Sequence, residues 1–230
     1  MKFFLLILIG ITTFSGCTPK LSPQRAAITR LAPAEFPETY YLQAEAAGHN
    51  ILHINPARSQ IIIEVRRAGA LARLGHDHVV ASHEVHGYAD LTNGRADLYV
   101  ALERLAVDEA ELRAEAGLNT ILSIEAIEGT RRNMLEKVLD AERYPFALIN
   151  VTRSPADSSI LQVTITLHGT TKTWEVPVQI ESLANGIRIS GQMAFNQTDF
   201  GITPSSILGG AIQVQDKLSL RFEIFATRNL

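Results

Sequence analysis

The 230-residue sequence predicts a mainly β fold, an antiparallel array of about eight strands with one helical excursion. Apolar and polar residues alternate from Ile51 onward, which is typical of strands with one buried face. Asn93-Gly94 and Asn185-Gly186 are turn sequences that join neighbouring strands as hairpins. Because most connections are this short, neighbouring strands should run antiparallel. A two-sheet sandwich and a closed barrel both fit this pattern, and closure would remove the exposed strand edges.

The N-terminal segment has the features of an export signal. Lys2 precedes an apolar run from Phe3 to Phe14, which as a helix would be about 18 Å long, short of the ~30 Å hydrocarbon core of a bilayer. The run ends in Ser15-Gly16-Cys17, and small residues before a cysteine resemble the lipobox of bacterial lipoproteins. We therefore predict a signal peptide over residues 1–16 and lipidation of Cys17, the only cysteine. The alternative is an ordinary secretory signal with an incidental cysteine.

A proline-rich segment follows this cysteine. Residues 17–37 contain four prolines that interrupt any helical or strand period: Pro19, Pro23, Pro33 and Pro37. We interpret the segment as a lipidated tether that holds one folded domain, residues 38–230, at a membrane. The expected location is the bacterial cell envelope, facing the periplasm, with the membrane as a partner through the N-terminal acyl anchor.

The elements of the domain follow in order along the chain. Asp108 to Ala116 and Glu125 to Leu139 favour helix, and the polar stretch Gly169 to Thr173 predicts a turn. The residues expected on the buried faces of the strands are Ile61, Ile63 and Val65; Val85, Gly87, Ala89 and Leu91; Ala96, Leu98, Val100 and Leu102; Leu161, Val163, Ile165 and Leu167; Trp174, Val176, Val178 and Ile180; Ile187, Ile189, Gly191, Met193 and Phe195; and Leu218, Leu220, Phe222 and Ile224.

Composition and motifs narrow the function. A hydrophobic content of 46% supports a sizeable core, and a net charge of −3 lacks the basic field typical of nucleic-acid binders, so no nucleic-acid partner is expected. The sequence contains no nucleophile elbow, phosphate loop or dinucleotide fingerprint. We therefore predict a binding protein without a cofactor rather than an enzyme. The oligomeric state stays open.

Five sequence elements, taken in their order and spacing, resemble those of the YceI-like polyisoprenoid-binding proteins. They are Arg73-Leu74-Gly75-His76-Asp77-His78-Val79-Val80 leading to Val85-His86-Gly87; Leu102 to Val107 followed by Asp108; Tyr144-Pro145; Leu167-His168-Gly169-Thr170-Thr171-Lys172 with Val176-Pro177-Val178; and Asp199-Phe200-Gly201-Ile202. The resemblance extends from about Tyr41 to the C-terminus. It implies an exported, lipocalin-like antiparallel β-barrel whose long apolar tunnel carries or stores an isoprenoid or quinone-like lipid.

The sequence departs from the commoner pattern of that family in two ways. Many relatives have an ordinary cleaved signal without a lipid anchor. Relatives also often carry a basic residue shortly before the Asp-Phe-Gly element, where this chain has Asn196, Gln197 and Thr198. If that basic residue holds a polar head group in relatives, head-group recognition must differ here.

Four of the seven histidines lie between His76 and His86. On a strand, His76 and His78 would point the same way, as in some metal sites, and Asp77 would point away. A metal would need further ligands, from His83, His86 or a distant carboxylate. The histidines are therefore open to three interpretations: metal ligands, a binding site for a lipid head group, or polar residues hydrogen-bonded at a barrel rim.

Further residues are candidates for ligand binding. We expect Arg73, His76, Asp77 and His78 at the mouth of the barrel. Arg131 and Asn133 follow Gly129-Thr130 and should lie near the start of a helix, where backbone N–H groups favour anions, although such residues more often form a solvated helix face. Trp174 and Phe200 either line the tunnel or pack in the core.

Three functions follow, in order of preference. The first is a lipid-anchored protein that holds an isoprenoid or similar amphiphile in the barrel. The second is a metal-binding protein or metal-dependent enzyme that uses the cluster His76–His86. The third is a structural envelope lipoprotein whose barrel is filled by side chains.

Overall fold

The structure is a computed structural model that describes residues 32–154, 157 and 159–228. The predicted signal peptide over residues 1–16, Cys17 and the tether up to residue 31 lie outside the described residues. Ala32–Leu230 form one compact unit, which contains every strand and helix described below.

Fourteen strands build the described part of the chain. They are β1 (Ile51–Ile54), β2 (Gln60–Val65), β3 (Arg67–Ala68), β4 (His78–Ser82), β5 (Val85–Asp90), β6 (Arg95–Ala101), β7 (Ala106–Val107), β8 (Phe146–Arg153), β9 (Ile160–Leu167), β10 (Thr170–Leu183), β11 (Gly186–Asn196), β12 (Ser206–Ile207), β13 (Ile212–Val214) and β14 (Lys217–Thr227). Three α-helices accompany them: α1 (Glu38–Ala46), α2 (Ala110–Glu115) and α3 (Ile124–Asn133).

The main sheet closes on itself as an eight-stranded antiparallel barrel. Its order is β1-β5-β6-β8-β9-β10-β11-β14, and β14 pairs back with β1. Strand β14 also pairs with β2, which pairs with β4, and β4 pairs with β7. β1 and β2 are therefore two halves of one interrupted barrel strand, as are β4 and β5, and β6 and β7. The predicted barrel is confirmed, and the alternative of two packed sheets is excluded by the closure.

The predicted alternation corresponds to the inner wall. In β2, for example, Ile61, Ile63 and Val65 face the barrel interior, while Ile62 between them packs outside against α2. Asn93-Gly94 joins β5 to β6, and Asn185-Gly186 joins β10 to β11, as expected. The local period-2 pattern therefore places side chains on the correct face of the barrel.

Two local predictions need correction. The turn expected over Gly169 to Thr173 is confined to His168 and Gly169, because Thr170 already pairs with Leu167. Residues 171–173 therefore continue β10, where threonine hydroxyls on the outer face bond across the strands. Ile180, predicted inside, is 45% exposed.

The helical excursion lies between β7 and β8, where the sequence predicts it. α2 begins at Ala110, two residues after Asp108, whose φ of 57° prevents it from belonging to the helix. Ser123 caps α3 by accepting a hydrogen bond from the backbone N–H of Ala126. After Asn133 the helix widens into a π-helical turn, Met134–Val138.

Helix α1 was not predicted, and it packs on the outer face of the barrel, against Ile51 of β1, Tyr88 of β5 and Asp97 of β6. Tyr41 is fully buried, its ring stacks on Tyr88, and its hydroxyl donates a 2.6 Å hydrogen bond to Asp97. Burial together with this carboxylate raises the pKa of Tyr41. Residues before the helix pack as well, since the Phe36 ring centroid lies 4.9 Å from that of Tyr99. One end of the barrel is covered by α3, whose residues Ala126, Gly129 and Asn133 line the interior.

A buried carboxylate secures α1 to the barrel. The side chain of Asp90 is inaccessible to solvent, and it accepts hydrogen bonds from Tyr40, His49 and Asn93. Burial raises the pKa of Asp90, but these hydrogen bonds outweigh the effect and lower the pKa to about 2. Asp90 therefore links α1, the segment after it and the β5–β6 hairpin.

Among the described residues, none of the helices has the length and apolar character needed to cross a bilayer.

Candidate ligand-binding cavity

An apolar cavity of about 540 Å³ occupies the half of the barrel beneath α3. The strands contribute Ile61, Ile63, Val65, His78, Val80, Val100, Ala147, Ile149, Ile165, Leu167, Phe195, Val214, Leu218 and Leu220. The segments between strands contribute Leu102, Leu105, Ala126, Gly129, Thr130, Asn133, Met134, Val138, Leu139, Gln197, Phe200, Ile202 and Ser205. Side chains from both sets enclose an elongated space that the barrel wall does not fill.

A second, smaller space lies deeper in the barrel, toward the end opposite α3. It has a volume of about 90 Å³ and shares four wall residues with the main cavity: Ile61, Ile149, Ile165 and Leu220. Its lining is entirely apolar and includes Ile54 and Ala226, which pair with each other on β1 and β14. The two spaces together provide an apolar channel that narrows with depth, which suits a linear chain with its thin end innermost.

The cavity owes its roof to the π-helical turn. Met134 and Val138, together with Leu139 just after the turn, reach over the barrel opening and line the cavity. A π-helical turn shifts the helix register, and such turns are frequent at functional sites.

Polar groups are few and lie near the covered opening. They belong to His78, Thr130, Asn133, Gln197 and Ser205. Gln197 is occupied, since its Nε2 donates to the carbonyl oxygen of Gln215 at 2.8 Å. Among the lining residues there is no lysine, arginine, aspartate or glutamate, so His78 is the only one with an ordinarily ionisable side chain.

A fixed hydrogen-bond chain orients His78. Its Nδ1 lies 2.6 Å from a carboxylate oxygen of Asp108, whose side chain is inaccessible to solvent. The other oxygen of Asp108 accepts a 2.6 Å bond from Arg113 and a 3.1 Å bond from the backbone N–H of Val79. Burial raises the pKa of Asp108, but the histidine, the guanidinium and the backbone N–H lower it further, so the carboxylate stays charged. With Nδ1 held by Asp108, the Nε2 of His78 is left to interact with a ligand.

The other three residues predicted at the mouth do not line the cavity. Arg73 and His76 are exposed on the turn before β4, and β4 begins only at His78. The expectation that His76 and His78 share a strand face is therefore wrong. Asp77 accepts a 2.8 Å bond from the backbone N–H of Arg67, so it stabilises the turn instead.

The α3 residues divide similarly. Asn133 lines the cavity, but Arg131 does not: its guanidinium donates to the carbonyl oxygens of Leu105 and Glu103, holding α3 onto the barrel rim. The expectation that these residues start a helix is wrong, because α3 begins at Ile124 and Arg131 lies in its last turn. Backbone N–H groups near Arg131 are consequently used within the helix.

The two aromatic candidates take different places. Phe200 is fully buried and lines the cavity. Trp174 packs behind it, with ring centroids 5.7 Å apart, and contacts Phe195 at 6.1 Å. Trp174 therefore supports the cavity wall without lining it.

The histidine cluster disperses in the fold. His83 pairs with Glu109 at 2.7 Å, and His86 stacks on Tyr99 with ring centroids 5.3 Å apart. In the part of the chain that the structure describes, no three histidine, cysteine, aspartate or glutamate side chains are placed to hold a metal ion. The ligand set required by the metal hypothesis is thus not brought together there.

The family assignment rests on the domain as a whole. Residues 52–226, well over half of the chain, match the family model of the YceI-like domain. The chain belongs to the YceI-like family. This matched range contains the helical excursion, all of the residues that line the cavity and the barrel strands except Ile51 and Thr227 at their outer ends, whereas α1 precedes it.

Two solved structures show that the YceI-like fold is shared. The polyisoprenoid-binding domain from Saccharophagus degradans implicated in plant cell wall breakdown is 12% identical, with a TM-score of 0.56 over 77% of this chain and 98% of that chain. BcnA from Burkholderia cenocepacia is 16% identical, with a TM-score of 0.52 over 76% of this chain and 99% of that one. At such identities the likeness establishes the fold alone. No curated protein matches the chain significantly.

Proposed function

We propose that this YceI-like barrel binds one amphiphilic lipid, with its apolar tail in the channel and a small uncharged head at His78. The main support for the proposal is the channel, which consists of the cavity of about 540 Å³ and the smaller apolar space next to it. Aliphatic and aromatic side chains form most of its wall. This volume also speaks against a structural protein with a filled barrel.

The tail supplies most of the affinity. Burying one CH₂ contributes about 0.8 kcal/mol, so a five-carbon isoprene unit contributes roughly 4 kcal/mol before the cost of ordering the chain. An isoprenoid tail suits the channel because the channel is elongated and narrows with depth. The solved domain from Saccharophagus degradans is described as polyisoprenoid-binding, which supports the same class of ligand here.

The head group should be uncharged, such as an alcohol, a phenol or a quinone. A phosphate or pyrophosphate would need cations, and the cavity lining contains neither lysine nor arginine. Arg131, the nearest candidate on α3, already donates to two backbone carbonyls. His78 and Asn133 can instead donate or accept hydrogen bonds with a hydroxyl or carbonyl group.

The proposal includes attachment to the membrane. Cys17 would carry the acyl anchor, and the protein would face the periplasm of a bacterial envelope. The support is the sequence Ser15-Gly16-Cys17 after the apolar run. Intact-mass analysis of membrane-extracted protein should give a chain that starts at Cys17 with added acyl mass. A Cys17→Ser chain should lack that mass, and a wild-type chain without it would contradict the anchor.

Native mass spectrometry of the untagged protein from a bacterial host tests the ligand. We expect one added mass of several hundred daltons, lost on denaturation, from a lipid without phosphorus. A stoichiometric metal in place of lipid, or a chain that stays bare after incubation with isoprenoid alcohols, would contradict the proposal.

A matched pair of histidine variants tests the head-group site. His78→Ala should lower lipid occupancy, whereas His76→Ala should not, because His76 is exposed and outside the cavity. Losing one hydrogen bond to a bound head group corresponds to roughly a tenfold weaker Kd. Equal occupancy in two folded variants would remove His78 from the site.

A further inference from the structure

Large apolar side chains are exposed mainly at one end of the molecule. The described residues include seven such side chains, and five of them lie around the α3-covered opening. These five are Leu74 at 59%, Ile121 at 96%, Ile124 at 75%, Ile207 at 58% and Leu208 at 70% exposure. The other two, Leu42 and Ile180, lie on α1 and on the outer barrel wall.

The first group consists of Leu74, Ile207 and Leu208, which lie on or beside a small three-stranded sheet, β12-β13-β3, at the rim. The hairpin of β12 and β13 begins and ends at Ser205 and Val214, which line the cavity and bond to each other at 2.9 Å. Its tip carries Ile207 and Leu208. The turn that carries Leu74 is fastened to this tip, because the N–H of Leu71 donates to the carbonyl of Ala211.

The second group consists of Ile121 and Ile124, which lie at the start of α3. Ile121 and Ile124 lie just before Ala126, the first helical residue that lines the cavity. The loop is fixed to the rim by Arg113, which donates both to the carbonyl of Thr120 and to Asp108, the partner of His78. Both apolar groups therefore belong to the rim of one opening.

The rim carries both charges. Its three segments, residues 66–76, 117–124 and 202–215, contain three arginines, and each segment is followed directly by an acidic residue: Asp77, Glu125 and Asp216. Arg66 and Arg67 contact Asp77, and Arg66 also contacts Glu64. Arg73, next to Leu74, is exposed and forms no hydrogen bond or ion pair with the described residues.

We infer that this rim, defined as Leu74, Ile121, Ile124, Ile207 and Leu208 with Arg73, docks on a bilayer that contains anionic phospholipid. The apolar side chains of the two groups can insert at the boundary between head groups and acyl chains. The unpaired guanidinium of Arg73 beside them can bind lipid phosphates. The inference rests on the proposed function, since a lipid tail can then pass between bilayer and channel without crossing water. A soluble protein partner is the other possible occupant, but it would not account for the apolar channel opening between the two groups.

Flotation with vesicles tests the docking. The chain from Thr18 to Leu230 retains the whole compact unit Ala32–Leu230 and omits Cys17, so no acyl group contributes to binding. We expect it to float with vesicles of one third phosphatidylglycerol and two thirds phosphatidylcholine, and weakly with phosphatidylcholine alone. Failure to bind either kind of vesicle would overturn the inference.

Two matched pairs of variants locate the binding surface. Ile207→Ser with Leu208→Ser should weaken vesicle binding at least roughly tenfold, whereas Leu42→Ser with Ile180→Ser should not. Arg73→Glu should weaken binding to the anionic vesicles more than Arg228→Glu, which makes the same charge change at the opposite end of the barrel. Equal effects within either pair would place the binding elsewhere and refute the rim.

A probe of depth gives an independent result. Cys17 is the only cysteine, so Leu208→Cys in the shortened chain accepts a single environment-sensitive fluorophore. Its emission should shift to the blue on anionic vesicles, and a fluorophore on Ile180→Cys should not respond. Native mass spectra of the same samples keep the two proposals apart: retained lipid without vesicle binding overturns the docking alone, and bare protein that still docks overturns the proposed ligand alone.

Discussion

Filling the channel with a side chain should abolish lipid binding without harming the barrel. Ala147 lies on β8 and lines the main cavity, so Ala147→Phe adds a six-carbon ring to this space. If the ring displaces about five carbons of the ligand, the loss at ~0.8 kcal/mol per carbon is about 4 kcal/mol, or roughly a thousandfold in Kd. The barrel itself should not be strained, because the ring enters a space that is empty of protein atoms.

The assay is a titration with geranylgeraniol followed by native mass spectrometry, together with thermal unfolding of each variant. Ala194→Phe is the matched control, since Ala194 is exposed on the outer face of β11. We expect the control to bind as the wild type does and Ala147→Phe to stay bare, with an unfolding temperature equal to or above that of the wild type. Normal lipid occupancy in folded Ala147→Phe would show that the tail does not use this channel.

Three further predictions concern stability and the site. The pKa of Asp90 is lowered from 3.8 to about 2, which corresponds to about 2 kcal/mol of stability that is present above pH 4 and is lost as pH falls through 2. Urea unfolding from pH 7 to 2 should therefore show a loss that is about 2 kcal/mol larger in the wild type than in Asp90→Asn, and equal losses would contradict the lowered pKa. Asp108→Asn should cost about 3 kcal/mol in urea unfolding, because it leaves the buried Arg113 guanidinium without its carboxylate, and a neutral effect would contradict the buried ion pair. Gly87→Ala should lower the free energy of unfolding by at least about 3 kcal/mol, because φ is +144° and a Cβ would lie 2.1 Å from a backbone oxygen. In Gly129→Ala the new Cβ meets nothing within 4 Å, so this variant in α3 should raise the free energy of unfolding by up to about 1 kcal/mol. Similar melting temperatures for the two variants would refute the argument.

The strand pattern was predictable because it is local. In a strand the side-chain direction follows from parity alone, so Leu161, Val163 and Ile165 had to share a face whatever they contact. The Asn-Gly pairs specify tight turns by their own backbone preferences. These signals sufficed for the barrel wall and for the helical excursion between β7 and β8.

The cavity could not be obtained in this way. An apolar residue at an inward position has the same pattern whether it meets another side chain or open space, and Ile61 and Ile149 do not differ in sequence from core residues. The volume depends on the closure of eight strands and on the π-helical turn that carries Met134 over the opening. Helix α1 could not be predicted from the sequence for a related reason. Its residues are buried by distant partners such as Tyr88 and Asp97, and its own sequence has no apolar periodicity that would indicate this burial.

The same distinction governs the polar residues. The sequence by itself determined that histidines and arginines concentrate before β4 and in α3, and it determined the alternation that makes the barrel. Only the tertiary structure decided which of them meet the cavity, because hydrogen-bond partners come from remote segments: Asp108 holds Nδ1 of His78, which lines the cavity, while two backbone carbonyls accept hydrogen bonds from Arg131. A polar side chain forms hydrogen bonds with the groups that lie within about 3 Å of it in the folded chain. The identity of those groups cannot be deduced from the local alternation of apolar and polar residues.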